Sequence, residues 1–80
     1  MKDSHYCSKE TAGRIKQRAK EKAILIKDLL DYCELGKNTL STMVHRGSWI
    51  QAVSLAKIAD RLDCSVDYLL ARTDNPEINR

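Results

Sequence analysis

Apolar residues recur along the chain at helical spacing and almost nowhere at the two-residue alternation of a strand. From Thr11 onward, Ala12, Ile15 and Ala19 share one stripe while Arg14, Lys16, Arg18, Lys20 and Lys22 take the other positions, the pattern of a helix with one buried face. The lysine-rich pattern breaks at Ala23 to Leu25. Ile26, Leu29, Leu30 and Cys33 then begin a second stripe, predicting a helix of about nine residues. Glu34, Leu35 and Gly36 read as a tight turn, and Leu40, Met43 and Val44 give the spacing of a third helix that starts at Lys37. Gly47 is its expected stop.

His45 to Gln51 reads as a loop. Ala52 to Leu62 reads as a fourth helix, with Leu55, Ile58, Ala59 and Leu62 inward. Ser65 stands where an N-cap is wanted, three residues before Tyr68, so Val66, Leu69 and Leu70 open a fifth. Asn75-Pro76 closes the ordered part. The expected fold class is all-α, five short helices, with a flexible arm over residues 1–10, one domain over 11–73 and a tail over 74–80.

Eighty residues suffice for one domain with a modest core, since roughly 60% of the unfolded surface is buried at about this size. Hydrophobic residues at 42% and charged residues at 31% fit a soluble globular chain. No apolar run approaches the roughly 18 residues of a membrane span, and the polar start Lys2, Asp3, Ser4, His5 does not read as a signal peptide. The expected location is therefore the cytoplasm. Cys7, Cys33 and Cys64 are odd in number and widely spaced, which suits neither a disulfide framework nor a zinc site. His5-x-Cys7 lacks a second ligand pair, so no metal is expected.

Charge is unevenly placed. Residues 14 to 49 hold eight Lys/Arg against four acids, a local +4, whereas residues 50 to 80 hold four against five, a local −1. A basic first half favours a polyanionic partner, although a charge run is more often just a solvated helix face.

Two helices joined by a short turn, the second short and polar outward, form the layout that sets a recognition helix in the DNA major groove. Ile26, Leu29, Leu30, Cys33, Leu35, Leu40 and Met43 are the apolar positions such a pair needs for packing. The outward positions of the third helix are Lys37, Asn38, Ser41, Thr42 and His45: a long cation, an amide and small hydroxyls, with no acid to repel phosphate. Periodicity alone weighs this equally with an ordinary helical bundle.

Residues 29–41 (LLDYCELGKNTLS), 54–62 (SLAKIADRL), 64–70 (CSVDYLL) and 72–76 (RTDNP), in this order and spacing, resemble the Cro/C1-type, or lambda repressor-like, helix-turn-helix family, phage-repressor-like regulators among them. The resemblance covers about residues 14 to 76. It implies a five-helix lambda repressor-like domain in which helices 2 and 3 form the helix-turn-helix. It further implies a transcriptional regulator, a repressor by expectation, that binds double-stranded DNA as a homodimer on a pseudo-palindromic operator, from a bacterial or phage source and associated with the nucleoid.

By position, Lys37, Asn38, Ser41 and Thr42 match base-reading residues. Lys27, Thr39, His45, Arg46 and Ser48 match phosphate-binding positions. Tyr68 and Leu70, on a face that the Val66/Leu69 stripe does not use, are the expected dimer interface. Three departures stand out. Ile26 replaces a phosphate-binding glutamine, Glu34 sits where a left-handed glycine is frequent, and Trp49-Ile50 replaces a proline-containing loop. The last pair is expected to staple the fourth helix.

The alternative is a protein-interaction module of the same fold that binds an anti-repressor, toxin or other regulatory protein through Trp49, Ile50 and Tyr68. An enzyme is not expected. His5 and His45 are far apart, no nucleophile-base arrangement occurs, and the three glycines build no phosphate loop. Neither a cofactor, a small-molecule substrate nor a membrane partner is expected, and Cys33 is expected as core filler.

Overall fold

A computed structural model describes residues 6–78 of the chain. Over these residues it is all-helical, without strands: α1 (Ser8–Glu21), α2 (Ile26–Tyr32), α3 (Thr39–Arg46), α4 (Ala52–Arg61) and α5 (Val66–Leu69). No helix is long and apolar enough to cross a membrane.

The stripes meet in one core. Ala12, Ile15 and Ala19 from α1, Leu29 and Cys33 around α2, Leu40 and Met43 from α3, Leu55, Ile58, Ala59 and Leu62 around α4, and Cys64 and Leu69 beyond it are all buried together. α3 packs chiefly on α1, and α5 packs on α1 and α4. The long α1 is thus the spine for α2, α3 and α5, while α4 packs on α2 and α5. Burial raises the pKa of Cys33 and Cys64, an effect that Lys57 near Cys33 and Arg18 near Cys64 oppose. Both thiols act as small apolar filler.

Helix boundaries differ from the sequence reading in three places, each for a local reason. α1 begins at Ser8 rather than Thr11, because Ser8 is buried and its hydroxyl donates to the Met43 carbonyl at 2.8 Å. The expected N-terminal arm therefore ends before residue 8, and His5 lies outside the described residues. α3 begins at Thr39 rather than Lys37, since Gly36 and Asn38 supply the carbonyls of its opening turn. It runs on through Arg46, so His45 and Arg46 occupy its last turn rather than a loop. Gly47 closes it with φ +70°, as expected.

The other four helices end in the same left-handed conformation without glycine, at Ala23 (φ 58°), Glu34 (φ 59°), Asp63 (φ 55°) and Ala71 (φ 64°). Each end carries the paired bonds of a Schellman motif. The Ile24 N–H reaches the Ala19 carbonyl at 2.8 Å, and the Ala23 N–H reaches that of Lys20 at 3.1 Å. Leu35 to Leu30, Cys64 to Ala59 and Arg72 to Asp67 repeat the longer bond at 2.8, 3.0 and 2.9 Å. α5 has the side-chain N-cap expected for it, with the Tyr68 N–H donating to Ser65 Oγ at 3.0 Å.

Half of the basic residues of α1 and its C-cap are committed within the molecule. Arg14 donates to the Tyr68 and Thr73 carbonyls at 3.1 and 2.9 Å and to Asp74 Oδ1 at 2.9 Å. Arg18 donates to the Leu62 and Asp63 carbonyls at 3.1 and 3.0 Å, and Lys22 meets Asp63 at 3.4 Å. The bonds of Arg18 and Lys22 tie the end of α4 to the spine, and those of Arg14 tether the C-terminal segment to it. A further tether, from the Ser65 N–H to the Pro76 carbonyl at 2.9 Å, carries it past the expected domain end at residue 73.

Thr11 is fully buried, and its hydroxyl has no partner among the described residues. Thr11→Val keeps the branched shape and removes a desolvated polar group. A gain of about 1 kcal/mol is expected in thermal or urea unfolding; a loss would mean that the hydroxyl is satisfied after all.

Candidate nucleic-acid interface

Leu40 and Met43 turn α3 toward the core, and helical geometry then decides what faces out. Ser41, His45 and Arg46 are exposed, Thr42 is half-buried, and Lys37 and Asn38 are exposed in the turn ahead. No acid lies between Leu35 and Ala59. This stretch is the longest run without acids in the chain, and Lys37 and Arg46 within it, like Lys27 on α2, pair with no acid among the described residues.

The turn presents these groups in a defined way. Thr39 donates its hydroxyl to the Gly36 carbonyl at 2.7 Å, and Thr42 donates its own to the Asn38 carbonyl at 2.8 Å. Asn38 occupies the N-cap position with φ −94° and ψ 7°, yet its side chain makes no capping bond. An amide at an N-cap commonly spends its oxygen on the helix. Here both ends of the Asn38 amide stay free to pair outward. Thr39 and Thr42, by contrast, have their hydroxyl protons engaged and offer outward chiefly a lone pair.

After Gly47 the chain turns back beside the start of α3. Lys37, Asn38, Thr39, Thr42 and Ser48 share with Gly36, Met43, Trp49 and Ile50 the walls of an open groove of about 500 Å³. Base-reading and phosphate-binding candidates are thereby brought together, and Trp49 and Ile50 join them. Ile50 is half-buried against the core, while Trp49 remains 44% exposed. Only Ile50 has the full stapling role expected of the pair. Ser41, His45 and Arg46 lie on α3 outside the groove lining, and Lys27 lies on α2.

The dimer candidates are less open than expected. Tyr68 and Leu70 are both half-buried and pack partly on the core, and the Arg14 guanidinium lies over the Tyr68 ring at 4.8 Å from its centroid. Leu70 borders a shallow depression with Tyr6, Trp49 and Arg72. Among the described residues no cluster of three or more His, Cys, Asp or Glu side chains could hold a metal.

Sequence reasoning missed two residues that position the surface. Ser8 ties the end of α3 to α1 from 35 positions away, a bond that no local pattern signals. Arg14 stands in a basic run whose other members give no sign of which one turns inward. No family model, no curated protein and no solved structure matches the chain.

Proposed function

We propose that the chain is a sequence-specific double-stranded DNA-binding protein of the lambda repressor-like helix-turn-helix type, which sets α3 into the major groove and acts as a transcriptional regulator. One observation carries this reading. In a stretch without acids from Leu35 to Ala59, α3 and the residues just ahead of it carry an amide that makes no capping bond and cations without an acid partner among the described residues, Lys37 before the helix and Arg46 at its close. An amide pairs bidentately with adenine, Lys donates to guanine, and cations around the reading face neutralise phosphates.

Lys37, Asn38, Ser41 and Thr42 are the base-reading set. Lys27, Thr39, His45, Arg46 and Ser48 serve the backbone, Thr39 by turning its hydroxyl from the Gly36 carbonyl to a phosphate. One recognition helix buries only about 600 to 1,000 Å², so useful discrimination calls for two half-sites roughly 34 to 36 Å apart and a homodimer to span them. The Leu70 side of α5 is the proposed dimer contact.

The exposed indole of Trp49 favours a second reading, a protein-interaction module that binds a regulatory protein through Trp49, Ile50 and Tyr68. Selection of bound sequences from random duplex DNA separates the two. A palindromic consensus is expected, and recovery of unenriched sequence would rule out specific reading.

Arg46→Ala is expected to weaken binding to every duplex alike and to lower the slope of log affinity against log salt by roughly one unit per protomer. Salt titrations by fluorescence anisotropy read this directly. An unchanged slope would remove Arg46 from the contacts.

A further inference from the structure

Trp49 is the one tryptophan of the chain, and it sits between two concavities. One is the groove with the turn and first residues of α3; the other is the depression with Tyr6, Leu70 and Arg72. An indole left 44% exposed beside the proposed reading helix offers an apolar ring face to a partner.

The groove's lining says which kind. Met43, Trp49 and Ile50 form a hydrocarbon wall, and Lys37, Asn38, Thr39 and Ser48 stand around it with polar tips. Lys37 is the only charged residue of the lining, and it has no acid partner among the described residues. A matching ligand is a polymer that alternates an apolar ring with an anion. The sugar-phosphate backbone of one DNA strand has that form, with a deoxyribose face of C–H groups between phosphates. Its negative charge complements Lys37 within the groove and Arg46 at the far end of α3.

Building on the DNA-binding reading, we infer that the residue 48–50 side of this groove receives one strand's backbone, with the Trp49 indole packed on a deoxyribose, while the α3 side of the groove faces base edges. Ser48 Oγ donates to the phosphate beside that sugar. Such contacts fix register and carry no sequence information. Trp49 therefore contributes affinity for all duplexes and leaves base preference to Asn38 and its neighbours.

Because the indole is unique, it reports its own burial. A duplex labelled with a fluorophore excited away from tryptophan is titrated with the intact protein. Anisotropy of the label measures binding, while acrylamide quenching of tryptophan emission in the same samples measures indole exposure. Acrylamide is neutral, so the charge of the DNA does not bias it. Quenching is expected to fall in step with saturation of the duplex.

Trp49→Ala, checked for native helicity by circular dichroism, is expected to weaken cognate and random duplexes by about tenfold alike. Trp49→Phe is expected to recover most of that loss. Binding with undiminished quenching would overturn the Trp49 contact and leave the DNA-binding reading intact. Absence of binding at the lowest salt would overturn both. Protection that rises with protein concentration in the absence of DNA would overturn the contact in favour of a self-association face.

Discussion

Glycine at residues 23, 34, 63 and 71 together is expected to stabilise the domain by about 2 to 4 kcal/mol, equivalent to a rise in melting temperature of roughly 10 °C or more for a chain of this size. Ala23, Glu34, Asp63 and Ala71 each hold φ between 55° and 64° at a helix C-terminus. For an L-residue the left-handed conformation costs roughly 1 to 2 kcal/mol. Part of that gain is offset because glycine also enlarges the unfolded ensemble, which leaves about 0.5 to 1 kcal/mol per site.

The four sites close different helices and share no hydrogen bond, so their effects should add. Asp63 gives up only an exposed ion pair with Lys22, which is worth little. Thermal unfolding followed by circular dichroism, on the four single variants and their combination, is the check. A combination no more stable than the parent would mean that the helix ends relax away from these angles.

Asn38→Ala is expected to weaken binding to the selected sequence by about 1 to 3 kcal/mol, a loss of roughly 5-fold to 150-fold, with little change on random DNA. The reason lies in the turn. The amide does no capping work for α3, so its removal leaves the helix intact while deleting a bidentate donor and acceptor. Parallel titrations of selected and random duplexes measure the difference. Equal losses on both would assign Asn38 to the backbone, and a drop in melting temperature with no change in binding would make it a structural residue.

Helical period made the core legible before any coordinates. Ala12, Ile15, Ala19, Leu29, Leu30, Cys33, Leu40, Met43, Leu55, Ile58, Ala59, Leu62 and Leu69 are buried as their spacing requires. The outward positions Lys37, Asn38, Ser41 and His45 followed from the same period, since what a stripe excludes from the core must face water. Helix ends were harder to read. Four of them stop at residues that carry no glycine signal, and the bonds that close them join backbone groups that any sequence possesses.

Long-range side-chain bonds were not legible at all. Arg14 and Lys16 look alike in a basic run, yet Arg14 is turned inward to hold the Thr73 carbonyl. Half of what seemed a polyanion-facing charge on α1 is spent inside the molecule in this way. Trp49 lies in a loop, where no periodicity assigns a side, and only the return of the chain past Gly47 sets it beside α3.

Salt dependence of duplex binding tests the central claim most directly. If Lys27 and Arg46 each neutralise one phosphate, log affinity should fall linearly with log salt, with a slope of about −2 for a single protomer and about −4 for a dimer on two half-sites. The selected sequence should hold an advantage over random DNA across the whole range. Affinity that is flat with salt, or absent at the lowest salt tested, would contradict DNA binding and turn attention to a protein partner for the exposed Trp49.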